Sequence, residues 1–156
     1  MEFVLHEYRP EYRNSFELLN KDWLEEYFSI EPLDKWVLEN PEEAILKDGG
    51  MIYFLEHEDH IIGTVALKKI ENSSFELTKM AVAKLSRGIG VGKFICAAAI
   101  EKARQLNASR LILYSQTSLV PAISTYRKLG FKGIPLEKGK YERADIKMEI
   151  VFNQNK

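Results

Sequence analysis

Three glycines at alternate positions constrain this chain more than any other feature. Arg87-Gly88-Ile89-Gly90-Val91-Gly92-Lys93 stands between a strand-like run, Phe75 to Val82, and a long apolar run, Val91 to Leu106. Glycine removes the side chain where backbone must approach something closely or take unusual angles. A helix that starts inside such a loop has N–H groups with no intrahelical partner, and its dipole puts partial positive charge on them. Such a terminus holds anions, most often phosphate. Arg87 and Lys93 bracket the loop with fixed positive charge. The bland alternative is a strand-to-helix turn that binds nothing.

The spacing excludes two common phosphate loops. Gly88, Gly90 and Gly92 read G-x-G-x-G, which does not fit the dinucleotide pattern G-x-G-x-x-G. Gly88 to Lys93 is one residue too short for the nucleotide P-loop, and Phe94 stands where the magnesium-binding hydroxyl belongs. The stretch does match Arg-x-x-Gly-x-Gly. In this it resembles the pyrophosphate loop of the GNAT superfamily, the acetyl-CoA-dependent N-acetyltransferases.

The rest of the chain alternates between helical and strand periods. Phe3 to Tyr8 reads as a short strand. Residues 11–28 step helically through Tyr12, Phe16, Leu19, Trp23, Leu24 and Tyr27, so a helix is expected, with a break near Asn20 left open. Asp34 is placed to cap a second helix that runs to Asn40, before Pro41. After Gly49-Gly50 the pattern turns to strands: Met51 to Glu56, His60 to Ile70 and Phe75 to Val82, with polar turns at His57-Glu58-Asp59 and Asn72-Ser73-Ser74. The helix after the glycine loop is apolar over most of its girth, so it is expected between a sheet and other elements. Cys96 within it reads as a small core residue. Asn107 suits a left-handed helix end. A strand at Arg110 to Ser115, a helix from Pro121 to Leu129 and a closing hairpin complete the chain. The hairpin pairs Phe131 to Ile134 with Ala144 to Phe152, around a polar loop at Lys138-Gly139-Lys140-Tyr141. The order is β-αα-βββ-α-β-α-ββ, a mixed α/β domain of about seven strands and about four helices.

Composition narrows the setting. A chain of 156 residues can bury a sizeable core, and no linker or repeat divides it, so residues 1–156 are expected to form one domain. No apolar run reaches membrane-spanning length, and a single cysteine with three scattered histidines gives no disulfide and no metal-ligand spacing. A cytoplasmic protein is expected, with no membrane, nucleic-acid or metal partner; a homodimer is left open. Charge is uneven: residues 1–59 hold 16 acidic against 5 basic side chains, and residues 60–156 hold 7 against 17. A cationic acceptor facing the acidic half is one reading, and two differently charged solvated faces is the other.

A second motif agrees with the first. Pro121-Ala122-Ile123-Ser124-Thr125-Tyr126-Arg127-Lys128-Leu129-Gly130-Phe131 is similar to the GNAT signature in which Ala-Ile, a Tyr and Leu-Gly-Phe come after the cofactor loop. The resemblance covers Ile52 to Ile150 well and Glu2 to Gly50 in outline. It implies a central mixed, mostly antiparallel sheet and acetyl-CoA as cosubstrate. N–H groups from Arg87 through Lys93, with Gly88, Ile89, Gly90, Val91 and Gly92 between, would cradle the coenzyme A pyrophosphate. Backbone at Met80, Ala81 and Val82 would pair with the pantetheine arm and acetyl carbonyl, the Met80 N–H serving as oxyanion donor. Ala122 and Tyr126 would line the other wall. The family often has Asn three residues before that Ala; here it is Leu119, so the contact is lost or passes to Ser118 or to backbone. The loop before Arg87 often contains Pro, and here it is Ala83-Lys84-Leu85-Ser86.

Chemistry is expected from two side chains. Tyr126 is the candidate acid for the departing thiolate, against the reading of a packing tyrosine. Glu76 is the candidate base, placed by two-residue alternation on the Met80/Val82 side, against a solvent-facing glutamate. Glu31 or a water chain are the alternatives for the base. The segment with Trp23, Glu25, Glu26, Tyr27, Phe28, Glu31 and Asp34, and Tyr141 and Arg143 in the final hairpin, would flank the acceptor. The resemblance implies direct acetyl transfer to a primary amine on a small molecule or a protein. The rival function is an acyl-CoA-binding sensor of the same fold that does no chemistry.

Overall fold

The computed structural model describes residues 2–139 and 141–152. Strand periodicity explains why helices must cover both faces of its sheet. In β2 (Met51–His57), Ile52 and Phe54 turn to one face, Tyr53 and Leu55 to the other, and all four are buried. Ile52 and Phe54 join one core with Phe16 and Leu24 of α1 (Arg13–Tyr27) and Val37 and Leu38 of α2 (Pro32–Glu39). Tyr53 and Leu55 join a second core with Ile95 and Ala99 of α3 (Val91–Gln105) and Ile123 and Tyr126 of α4 (Val120–Lys128).

The remaining strands are β1 (Val4–Glu7), β3 (His60–Glu71), β4 (Ser74–Val82), β5 (Arg110–Ser115), β6 (Lys132–Ile134) and β7 (Ile146–Val151). They form one seven-stranded sheet in the order β1-β2-β3-β4-β5-β7-β6. Every neighbouring pair is antiparallel except β4 and β5. This is the expected order of elements and the mixed, mostly antiparallel sheet. Among the described residues no helix is long and apolar enough to cross a membrane. Lys140, in the expected polar loop, lies outside the described residues.

Several local expectations change. α1 does not break at Asn20; the side chain is buried and its Nδ2 donates to the Phe16 carbonyl at 2.9 Å within the same helix. α2 starts at Pro32 with Glu31 at the N-cap, so Asp34 is not the cap. Asp34 sits inside the first turn and accepts the Glu31 N–H at 2.9 Å. The β2–β3 turn is two residues rather than three, because His57 pairs with His60. Glu58 and Asp59, at φ 51° and 65°, take the left-handed angles that match strand twist. α3 is amphipathic: Val91, Ile95, Cys96, Ala99, Ile100 and Ala103 make one buried stripe, while Phe94 and Ala97 are exposed. Alanines on the outer side made it read as apolar all round. Asn107 does end this helix region left-handed, at φ 61°.

Candidate active site

β4 and β5 are paired only at Ser74 to Glu76 against Arg110 to Ile112. Beyond that, Leu77 to Val82 and Leu113 to Ser115 line opposite sides of a cavity of about 480 Å³. β4 also carries a bulge. Thr78 faces Ala66 and Ala81 faces Thr64 on β3, so Lys79 and Met80 share the place opposite Val65. Lys79 is left-handed there, at φ 52°.

One end of the cavity is the glycine loop. Gly88 and Gly90 have φ of 84° and 87°, angles that side chains rarely adopt, and Gly90 is the N-cap of α3. A Cβ built on Gly88, Gly90 or Gly92 would meet nothing within 4 Å, so the space above this backbone is open. That combination, free helix-terminal N–H groups under open space with Lys93 beside them, fits an anionic group. Ile89 turns outward and is 54% exposed, and Val91 turns into the core at 0%; neither side chain lines the cavity. Arg87 is less available than expected. Its Nε donates to the Val82 carbonyl at 3.0 Å and its Nη1 to Glu26 of α1 at 2.7 Å, with the Tyr27 ring 5.7 Å away.

α4 forms the facing wall with Ala122 and Tyr126, both on the cavity. Tyr126 is mostly buried, with its ring edge-on to Phe131 at 5.8 Å. Burial, and then the neighbouring Cys96, raises its pKa, so the phenol keeps its proton through neutral and mildly alkaline pH. Burial likewise pushes the Cys96 thiol up to about 12, which removes it as a nucleophile. Ser118 is exposed, bonds to Gln116 and does not line the cavity; Leu119 does. The Ser118 side chain thus lies apart from the wall that Leu119 and Ala122 form.

The far end is built from buried charge. Glu76 lines it and is 1% exposed, so it is not a solvent-facing strand glutamate. The parity reading that put Glu76 with Met80 and Val82 fails, because the bulge interrupts the two-residue alternation. Met80 and Val82 pack on the α3 side, whereas Glu76 shares the face of Thr78, opposite Lys68 and Ala66. Beside it Lys79 Nζ donates to Asp34 Oδ1 at 2.7 Å and lies 5.0 Å from the Tyr141 ring. Arg143 grips the same carboxylate through Nη1 to Oδ2 at 2.7 Å and Nη2 to Oδ1 at 2.8 Å. Burial alone would raise the Asp34 pKa, but Arg143 and Lys79 outweigh it and hold it at about 2. Burial lowers the Lys79 pKa, with Asp34 opposing. Glu31 is committed elsewhere: it accepts from the N–H groups of Glu142 and Arg143 and from the Arg143 guanidinium. Sequence reasoning missed Lys79 altogether, and the one signal was a lysine inside an otherwise buried strand.

What the acidic half delivers here, Asp34 and Glu31, is already paired with Lys79 and Arg143. Of residues 2–59, only Asn20, Trp23, Leu24 and Phe28 line the cavity. Many of its acids are paired, among them Glu17 and Glu39 with Lys21, Glu42 with Arg13, and Glu26 with Arg87. The charge asymmetry therefore gives no support to a cationic acceptor.

Comparison with known proteins agrees with this architecture. The family model described as the Acetyltransferase (GNAT) family matches residues 3–131. YjgM, an uncharacterized N-acetyltransferase of Escherichia coli K12, is 27% identical over 106 residues, which is 66% of this chain and 64% of that protein. The chain thus spans just under two thirds of that relative's length. A GNAT-family acetyltransferase structure from Staphylococcus aureus Mu50 superposes with a TM-score of 0.82 at 22% identity, covering 95% of this chain and 98% of the other. The PaiA N-acetyltransferase of Thermoplasma acidophilum, solved in complex with coenzyme A, gives a TM-score of 0.75 at 18% identity, covering 97% and 100%. With a family match over most of its length and both motifs on one cavity, the chain belongs to the GNAT acetyltransferase family.

Proposed function

We propose that this protein transfers an acetyl group from acetyl-CoA directly to a primary amine. One observation carries the reading: a single cavity opens between the diverging strands β4 and β5, and it runs from the glycine loop past Tyr126 to Glu76. The N–H groups of the loop, with Lys93, would hold the pyrophosphate. Backbone at Met80, Ala81 and Val82 would flank the thioester, and the Met80 N–H would stabilise the oxyanion that develops on the acetyl carbonyl.

The balance of the step is simple. The amine nitrogen bonds to the carbonyl carbon and the carbon–sulfur bond breaks. Tyr126 gives its phenolic proton to the departing thiolate, and burial keeps that proton in place at neutral pH. The amine must shed a proton before or during attack. Glu76 is the proposed base, since it lines the far end of the cavity and Glu31 does not. The amine is proposed to be primary; of the described acidic side chains, Glu76 is the one that lines the cavity.

The test is acceptor-dependent release of free thiol from acetyl-CoA, run over polyamines, amino acids, aminoglycosides, arylalkylamines and lysine peptides. Thiol release with at least one amine, abolished without it, is the expected result. Tight coenzyme A binding with no thiol release from any amine would favour the sensor function instead.

A further inference from the structure

The bulge in β4 needs a reason to exist. Lys79 holds a left-handed backbone at φ 52°, which costs a non-glycine residue free energy and persists only where the surroundings over-determine it. Its surroundings do so. The Lys79 side chain is 4% exposed, and its ammonium is tied to Asp34, itself 0% exposed. Asp34 is fixed in turn by two bonds from Arg143 and one from the Glu31 N–H. Three distant pieces, the start of α2, the middle of β4 and the loop before β7, thus meet on one carboxylate.

The bulge matters because it sets the direction of Met80, the next residue along the strand. The extra residue changes the parity of β4, so Met80 packs on the α3 side while Thr78 faces α1 and α2. A straight β4 would shift Met80 and everything after it by one position, turning each side chain to the other face. We propose that Asp34 and Lys79 are positioning residues: their buried ion pair locks the left-handed turn at residue 79 and so aims the Met80 backbone at the acyl group. The proposal rests on the acetyltransferase reading given above. Lys79 acts through the backbone of its neighbour and not through its amine, which is engaged by Asp34 and covered by Tyr141.

Substitution separates backbone from amine. Lys79→Met keeps the length and loses the charge, so the left-handed strain is no longer compensated. Lys79→Gly and Lys79→Asn also lose the charge but adopt positive φ with little or no penalty. The expected order of kcat is Gly and Asn well above Met, by roughly 5–150-fold, the range that left-handed strain at one residue spans. Coenzyme A affinity by calorimetry should move much less, since the glycine loop is untouched. Asp34→Asn removes the charge that faces both the Lys79 ammonium and the Arg143 guanidinium and should lose kcat, and adding Lys79→Gly should recover part of that loss, since Glu31 still holds Arg143. Thermal melts of each variant separate loss of alignment from loss of folding. Crystal structures read the turn itself: φ at residue 79 stays positive in Lys79→Gly and becomes negative in Lys79→Met.

Lys79→Met matching or exceeding Lys79→Gly in kcat would overturn the proposal. Equal inactivity of the Gly, Asn and Met variants with the bulge intact would also overturn it, by assigning the amine a chemical role. If the wild type releases no thiol with any amine, the acetyltransferase reading fails. The crystallographic φ at residue 79 then decides the lock by itself.

Discussion

The two ends of the cavity are made of opposite materials. At the glycine loop the working surface is backbone, left open by residues chosen for what they lack: a Cβ on Gly88, Gly90 or Gly92 would touch nothing within 4 Å. At the far end the surface is side chain, where buried Lys79 and partly buried Arg143 both pair with the buried carboxylate of Asp34. The difference teaches where function can be read in a chain. A backbone site must be written locally, because consecutive residues build it. A side-chain site can be assembled from positions 34, 79 and 143, and nothing in any one of those neighbourhoods announces it.

Between the two ends stands Tyr126, and its substitution should have the largest effect. Tyr126→Phe keeps the ring that packs on Phe131 and removes only the hydroxyl. Loss of a general acid costs ~10²–10⁴-fold in the chemical step. The turnover number should fall by that factor, while coenzyme A affinity, set at the loop, stays within about threefold, well below the tenfold step of 1.4 kcal/mol. Full turnover at saturating acetyl-CoA, where chemistry limits, would make Tyr126 a packing residue and break the link between the two ends.

The loop end is tested by Gly90→Val. A β-branched residue resists φ of 87°, and its methyl groups would stand in the open space above the loop. Backbone strain of this kind is worth ~1–3 kcal/mol, so coenzyme A should bind roughly 5–150-fold more weakly. The fold should persist, since the new Cβ meets no protein atom. Unchanged affinity by calorimetry would show that the loop does not cradle phosphate.

These two positions lie in the stretches that sequence made legible. The glycine spacing, the Tyr126 helix and the strand at β2 are local patterns, and each is where it was expected. The features that could not be read have a common physical cause. One inserted residue at Lys79-Met80 reversed the parity of a strand, and alternation counted along the sequence cannot see an insertion in the pairing. Asp34 looked like a helix cap because Asp is favoured there, yet burial against Arg143 and Lys79 drew it into the first turn. The acidic half left a cationic acceptor and a solvated face both open, because pairing such as Glu39 with Lys21 is invisible without the fold.

The far end should reveal itself in acid. The Asp34 pKa is about 2 in the folded protein against an ordinary 3.8. A lowered carboxylate pKa contributes stability that is present above the unfolded value and lost as pH falls through the folded one. The window is therefore about pH 4 down to about pH 2, and the size is about 2 kcal/mol. Urea unfolding of the wild type should show this loss, and Asp34→Asn, less stable at neutral pH, should show a flatter acid slope. Equal slopes in the two proteins would mean that the buried cluster is not ionised as drawn.

The smallest effect distinguishes the two ends through salt. Lys93 is exposed beside the loop, and Arg87 is shared with Glu26 at the surface, so their pull on a phosphate is open to screening. Exposed charge pairs are worth ~0.2–1 kcal/mol each. The Debye length shrinks from ~10 Å at 0.1 M salt to ~3 Å at 1 M. The KM for acetyl-CoA should therefore rise a few-fold across that range, by roughly 1.4–5-fold per cation. The acceptor end offers no such lever. Its cations are already paired with Asp34, Lys79 buried and Arg143 partly so, and residues 2–59 lend the cavity only Asn20, Trp23, Leu24 and Phe28. The acceptor KM should stay flat over the same salt range. An acceptor KM that climbs as steeply as that for acetyl-CoA would mean that the acidic half attracts a cationic substrate from a distance, and that pairing at the far end does not neutralise its charge as the hydrogen bonds describe.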